Sequence, residues 1–452
     1  MPMTEAPRRG WREALAAYRE PRIFAMLCLG FSAGLPFLLV FATLSAWLTQ
    51  ADVSRTTIGL FSWVGITYSI KVFWAPVVDR LPLPLMTRVL GRRRGWMLLA
   101  QFGIAAGLLG LAGSDPGVSL TPVAWFALLV AFSSATQDIA VDAWRIEAAP
   151  LEEQGAMAAA YQLGYRIALL VAGAGALFLA AEYSWALAYT AMAACVGVGI
   201  VTCLLIREPA AQDNEALSAA AAAAVQRWAH LPPRVAAALG WFTSAVVGPF
   251  VDFFRRNGLR LGLTILLFIG LFRVTDITMG VMANPFYLDA GYTLKEVAAI
   301  AKGFGVLMTI LGAIAGGVVV ARLGPERSLV LGGLLVIATN LCFAVLALSP
   351  DPGIAGLALV ISADNFSGGL AGTAFIASLS GLTNVAYTAT QYALFSSLFT
   401  LPGKVIAGGS GWIVDAAGYP LFFVYTSLLG LPALLIILYL IRQAGLRVQE
   451  RS

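Results

Sequence analysis

The chain has 452 residues, of which 59% are hydrophobic and 12% charged, with 46 glycines and a formal net charge of +5. A mean hydropathy of +0.82 excludes a soluble or disordered chain and points to a helical protein that crosses a membrane many times. Cys28, Cys195, Cys203 and Cys342 lie singly in apolar runs without metal-ligand spacing, so neither a disulfide framework, a metal site nor a cofactor is expected, and the small positive charge calls for no nucleic-acid partner.

A window of about 20 apolar residues, the length that spans a bilayer, predicts twelve transmembrane helices in two six-helix halves, an all-α integral membrane fold. The first six cover 23–49, 56–78, 95–113, 121–147, 155–181 and 185–206; the second six cover 261–285, 294–321, 326–348, 353–382, 387–412 and 418–442. Residues 1–22 form a basic segment ahead of the first half, 23–206, and residues 443–452 form a tail behind the second half, 261–442. The first apolar run is too long for a secretory signal and lacks a small-residue cleavage site, so it reads as an uncleaved span. Between the halves, 207–260 passes through an alanine-rich stretch, Ala216 to Val225, and ends in WFTSAVVGPFVDFFRRNG. There Trp241, Phe242, Phe250, Phe253 and Phe254 beside Arg255 and Arg256 suggest a helix lying on the membrane surface, with a packed linker helix as the other reading. Most basic residues fall in the termini and the loops that alternate with them, which places both termini and the central loop in the cytoplasm.

Ionisable side chains at membrane depth are costly and usually serve transport. In chain order they are Lys71 in the second span, Asp138, Asp142 and Arg145 in the fourth, Arg166 in the fifth, Arg273 and Asp276 in the seventh, Lys302 in the eighth, Asp364 in the tenth and Lys404 in the eleventh. The fourth-span group sits in FSSATQDIAVDAWR, and its i, i+4, i+7 spacing aligns the three charges along one helix face. Arg273 and Asp276 share a face in the same way. Such carboxylates suit proton coupling, because burial and a neighbouring cation pull their ionisation in opposite directions. Asp138, Asp142, Asp276 and Asp364 are the candidates, with Asp138 or Asp142 as the proton carrier and sodium coupling left open. The single histidine, His230, lies in the central loop. Neither a nucleophile with its base nor a repeated filter is visible, so an enzyme or a channel is disfavoured.

Two loops repeat weakly. WAPVVDR followed after an insertion by GRRRGW, and GGVVVARLGPERS in the second half, both resemble the signature loop of the major facilitator superfamily, G-x-x-x-D-R-x-G-R-R. Ala75 stands where the first glycine belongs and Ala321 where the second aspartate does. The resemblance implies a charge latch between helix ends formed by Asp79, Arg80, Arg92, Arg93 and Arg145, with Gly34 and Pro36 as gating positions in the first span. The repeat also pairs the fourth span with the tenth and the fifth with the eleventh, so Asp364 answers Asp138 or Asp142, and Lys404 answers Arg166.

GFSAGLP at 30–36, GRRRGW at 91–96, FSSATQDIAVDAWR at 132–145, RVTD at 273–276, DNFSGGLAGTAFIASL at 364–379, TATQYALFSSL at 388–398 and GWIVDAAGY at 411–419 together resemble the AmpG-like muropeptide permease family of that superfamily. One departure is Asp364, where the family pattern has Glu. The resemblance implies a monomeric permease of the bacterial inner membrane that imports anhydromuropeptides from periplasm to cytoplasm by alternating access, driven by protons, for cell-wall recycling and with a link to beta-lactamase induction. A ligand of that kind, acidic and rich in hydroxyls, needs cationic anchors, for which Arg166, Arg273, Lys302, Lys404 and Lys71 are candidates. It needs amide partners, from Gln137, Gln162, Asn365 and Gln391, and flat surfaces, from Trp47, Trp63, Tyr68, Trp74 and Tyr161. A related facilitator for another bulky anion such as an acyl-coenzyme A, or a sugar:cation symporter, is the alternative.

Overall fold

The computed structural model describes residues 20–53, 57, 61–210, 226, 228, 230–349, 353–384, 387–407 and 409–449. The alanine-rich stretch and most of the basic N-terminal segment lie outside the described residues. Among the described residues, eleven helices are long and apolar enough to cross a membrane by length and composition. Ten coincide with expected spans, from Pro21–Leu48 to Ser410–Gln443, and the other, Pro233–Asn257, is the end of the central loop.

The second and eleventh spans are present in pieces. The second runs through the 3₁₀ turn Ser62–Gly65, the helix Ile66–Ile70, a second 3₁₀ turn Lys71–Phe73 and the helix Ala75–Arg80, which Pro76 opens. The eleventh runs through Thr388–Leu398 and Leu401–Ala407 and continues from Ser410 to the turn at Gly418. Gly418 has φ +76°, a left-handed backbone that favours glycine, and it breaks the helix ahead of the twelfth span. Pro402 lacks the amide hydrogen a continuous helix would use there. The seventh span also breaks, between Leu259–Phe272 and Val274–Asp289, and Arg273 occupies the break with φ −95° and ψ 0°.

Within each half, spans pack backbone to backbone through glycine. A Cβ on Gly164 of the fifth span would meet the Leu27 carbonyl and, at 2.7 Å, the Phe31 nitrogen, while one on Gly34 of the first would lie 2.7 Å from the Tyr165 carbonyl. In the second half, Gly312 of the eighth span faces the Phe366 backbone of the tenth, and Gly369 faces that of Thr309. Small residues at such contacts let helices approach closely enough for dispersion to hold them in lipid. Gly164→Val should therefore cost about 2 kcal/mol or more by overpacking. A substantial fall in the thermal unfolding midpoint in detergent would bear this out, and an unchanged midpoint would refute it.

The buried apolar clusters show how the halves meet. At the end that carries Asp79 and Arg93, one cluster joins Met26, Ala140, Val141 and Met157 of the first half to Ala389 and Ala393 of the eleventh span. Another joins Ile146 of the first half to Val320, Phe375 and Phe395 of the second. At the opposite end each cluster is drawn from one half alone, with Leu44, Trp47, Leu108 and Tyr189 on one side and Phe286, Phe343, Phe422 and Phe423 on the other.

The central-loop helix packs one face on the bundle, as the linker reading has it, and leaves apolar side chains exposed on the other. Ala236, Gly240, Ser244, Ala245, Pro249 and Phe253 are buried against the bundle, whereas Trp241, Phe242, Val247 and Val251 are exposed.

Candidate functional site

The charges of the spans fall into a latch, two carboxylate groups and a seam between the halves. The latch is centred on Arg93, which is 1% exposed; its Nη2 donates to Asp79 Oδ1 at 2.8 Å and to Glu147 Oε1 at 2.6 Å, and its Nε to Glu147 Oε2 at 3.0 Å. The other Asp79 oxygen crosses to the second half, accepting from the Thr390 amide at 3.1 Å and its hydroxyl at 3.0 Å. Glu208 accepts from the backbone amides of Arg93 and Arg94 at 2.7 and 3.1 Å, an anion placed where the third span exposes its unpaired N–H groups. Arg92, at the same helix start, is an electrostatic neighbour of Asp79, Glu147 and Glu208. Arg80 donates to the Ser244 carbonyl of the loop helix at 3.1 Å and lies 5.2 Å over the Tyr387 ring.

Arg145 is the second tie. Fully buried, it donates through Nη1 to Gln154 Oε1 at 2.9 Å and to Ser380 Oγ of the second half at 2.7 Å, and it sits 5.1 Å over the Tyr392 ring. Its Nη2 lies 3.4 Å from Asp142 Oδ1, so one guanidinium touches both a carboxylate of the fourth span and the contact that closes the bundle. Lys71, 8% exposed, is an electrostatic neighbour of Asp138 and of Asp142. Tyr68, Tyr161 and Tyr165 surround Asp138 electrostatically.

In the second half Arg273 Nη1 lies 3.4 Å from Asp276 Oδ2, and both side chains are partly exposed. The helix break puts the Arg273 guanidinium toward the seam between the halves, where Arg166 of the first half is its electrostatic neighbour. Across the same seam Gln162 Nε2 donates to Thr373 Oγ1 at 2.6 Å. Gly372 keeps this place open, since a Cβ there would lie 3.3 Å from Gln162 Oε1 and 3.4 Å from Arg273 Nη1. Asp364 accepts from Thr339 Oγ1 at 3.3 Å and neighbours Asp276 and Arg273. Two arginines from opposite halves, flanked by amide and hydroxyl groups, are chemically suited to pair with a carboxylate.

Several candidate residues stand elsewhere. Gln137 is fully buried and accepts from Ser32 Oγ at 2.9 Å, inside the first half. Asn365 is engaged by Thr309 Oγ1 at 2.8 Å and donates to the Ile361 carbonyl at 2.9 Å. Gln391, 1% exposed, donates to the Pro249 carbonyl at 2.9 Å and to Asp252 Oδ2 at 3.0 Å and accepts from Arg256 Nη2 at 3.1 Å, so the loop helix occupies its amide. Trp47 stacks on Trp185 in the core at the far end, Trp74 donates to Thr136 Oγ1 at 3.1 Å, and Trp63 and Lys404 are exposed. The Lys302 side chain lies outside the described residues. Gly34 and Pro36 are buried in the first span, Gly34 against Tyr165 of the fifth. Tyr165, Tyr392, Thr373, Ser380, Thr390 and Glu147 join the site without having been singled out from sequence; TATQYALFSSL and DNFSGGLAGTAFIASL carried three of them, Thr390, Tyr392 and Thr373.

A family model described as the Major Facilitator Superfamily matches residues 23–408. The chain is 33% identical over 425 residues to the putative transporter AmpG 4 of Rickettsia felis, covering 94% of this chain and 97% of that one. It is 35% identical over 427 residues to the anhydromuropeptide permease of Escherichia coli K12, covering 94% of this chain and 80% of that one. Among solved structures, the Major Facilitator Superfamily transporter FucP in its outward conformation superposes with a TM-score of 0.65 at 16% identity, over 94% of this chain and 99% of that one.

Proposed function

The chain belongs to the AmpG-like branch of the Major Facilitator Superfamily, a multi-pass membrane transporter rather than an enzyme, and we propose that it imports anhydromuropeptides into a bacterial cytoplasm with the proton gradient. In this reading the end that carries Asp79, Arg93 and the central loop faces the cytoplasm, as the distribution of basic residues favours. The bonds that join the halves through Asp79 and Thr390 and through Arg145 and Ser380 then lie at the cytoplasmic end.

The observation that carries the proposal is the seam of Arg166 and Arg273. Two like charges contributed by opposite halves disfavour closure until an anion lies between them, and a muropeptide carries carboxylates. Protons enter through the fourth span. Protonating Asp138 or Asp142 removes the counter-charge that Lys71 and Arg145 hold, and Arg145 also binds Ser380 and covers Tyr392. A change of charge at Asp142 is thereby transmitted to the tie between the halves. The test is uptake of radiolabelled disaccharide-anhydromuropeptide by proteoliposomes with an imposed proton gradient, repeated with an uncoupler and with excess coenzyme A ester. Accumulation that requires the gradient and resists the ester is expected. Uptake that the ester abolishes would assign the carrier to another bulky anion, and uptake indifferent to the uncoupler would remove proton coupling.

A further inference from the structure

The helix Pro233–Asn257 has two faces with different chemistry, and both are accounted for by one role. Its inward face touches both halves. The wide turn Thr243–Val247 presents the Ser244 carbonyl to Arg80, at the end of the second span. One turn further on, Pro249 O and Asp252 Oδ2 accept from Gln391 Nε2 of the eleventh span, and Asp252 Oδ2 also accepts from Asn384 Nδ2 at 3.1 Å. Arg256 Nε donates to the same carboxylate oxygen at 2.9 Å, while its Nη2 reaches Gln391 Oε1. Phe253 packs edge-on to Phe395 at 5.6 Å, which anchors the helix by an apolar side chain as well. The segment between the halves is thus bonded to the second span on one side and to the eleventh on the other, two spans made of short helical pieces.

Its outward face is apolar and basic. Phe242 is 51% and Val251 57% exposed, with Val235, Trp241 and Val247 exposed beside them, and the exposed charges along the helix and its exit are Arg234, Arg255 and Arg260. Only Gly258 separates the helix from the seventh span, so its C-terminal end is held at the depth where a span leaves the bilayer. An apolar strip flanked by arginines at that depth fits a leaflet of anionic headgroups.

We propose that this helix is a clasp seated on an anionic lipid surface, which holds the two halves together at the latch end and releases one half when that end opens. Anionic lipid then favours the state closed at this end, because a seated helix keeps Ser244, Pro249 and Asp252 in register with their partners. The proposal stands on geometry and charge and is independent of which substrate is carried.

The test uses the full chain with its native cysteines replaced, reconstituted in phosphatidylcholine vesicles with or without phosphatidylglycerol. Spin labels on Val89→Cys and Leu323→Cys report the separation of the halves at this end, and an environment-sensitive dye on Val251→Cys reports lipid contact. Phosphatidylglycerol is expected to move the dye into an apolar environment and to enrich the short-distance population. Asp252→Asn keeps the shape of the side chain and should raise the long-distance population about tenfold by weakening the charge-assisted bonds to Gln391, Asn384 and Arg256. Arg80→Gln should act in the same direction from the other half. Replacing Arg234, Arg255 and Arg260 together by Gln should abolish the response to phosphatidylglycerol while leaving the distances in phosphatidylcholine unchanged. An unchanged distance distribution in both Asp252→Asn and Arg80→Gln, with unfolding midpoints intact, would overturn the clasp. A dye that stays hydrated in both vesicles, or is equally desolvated in both, would overturn the anionic seat.

Discussion

Replacing Arg273 by alanine is expected to lower gradient-driven uptake of anhydromuropeptide by about 100-fold, the scale of a lost charge-assisted contact in a partly desolvated site. The guanidinium sits at the break in the seventh span, 3.4 Å from Asp276, with Arg166 of the first half as an electrostatic neighbour. Removing it deletes an anchor and leaves Asp276 without its partner, which adds a repulsion against an acidic cargo. Arg273→Lys keeps the charge but loses the planar fork, so it should recover a part of the rate and little of the affinity. Initial rates over a range of cargo concentrations separate the two effects. An Arg273→Ala carrier with unaltered affinity and rate would remove this residue from cargo binding.

Asp138→Asn is expected to abolish accumulation against a gradient while sparing exchange of labelled for unlabelled cargo. Lys71, Tyr68, Tyr161 and Tyr165 are electrostatic neighbours of the carboxylate, and the amide keeps its size while it can no longer gain or lose a proton. A carrier fixed in one charge state can still shuttle loaded but is not drawn by the proton gradient. Counterflow with the gradient collapsed measures the first property, and uptake with the gradient imposed measures the second. Full gradient-driven uptake by this variant would shift the role to Asp142 or to the second half.

Ten of the twelve expected spans were legible in the sequence as long apolar helices, because hydropathy is a local signal. Arg273 and Asp276 are legible as a pair for the same reason, since three residues on a helix bring side chains to one face. Arg145 was visible as a charge, but its bond to Ser380 joins residues 235 apart, and the Asp79 bond to Thr390 joins residues 311 apart. No spacing rule reaches so far. Gln137 shows the converse: it is adjacent to Asp138, yet one residue along a helix turns the side chain by about 100°, and it points to Ser32 instead. Gln391 looked available because its nearest partners belong to a loop whose docking is a tertiary event. The breaks in the second and eleventh spans escaped a hydropathy window, which registers apolar content but not the continuity of the hydrogen-bond ladder. Pro76, Pro402 and Gly403 were the cues.

Those breaks acquire a mechanical meaning beside the glycine contacts. The first and fifth spans, and the eighth and tenth, are pressed backbone against backbone and form a stiff chassis in each half. The second and eleventh, assembled from helices of five to eleven residues, are the compliant members, and they face one another at the latch end. Bending at a junction that already lacks ladder bonds disturbs few contacts, whereas shearing a glycine seam would disturb many. The molecule can thus work as two frames with a pair of soft shutters between them, so that the passage of cargo deforms the shutters and leaves the frames intact.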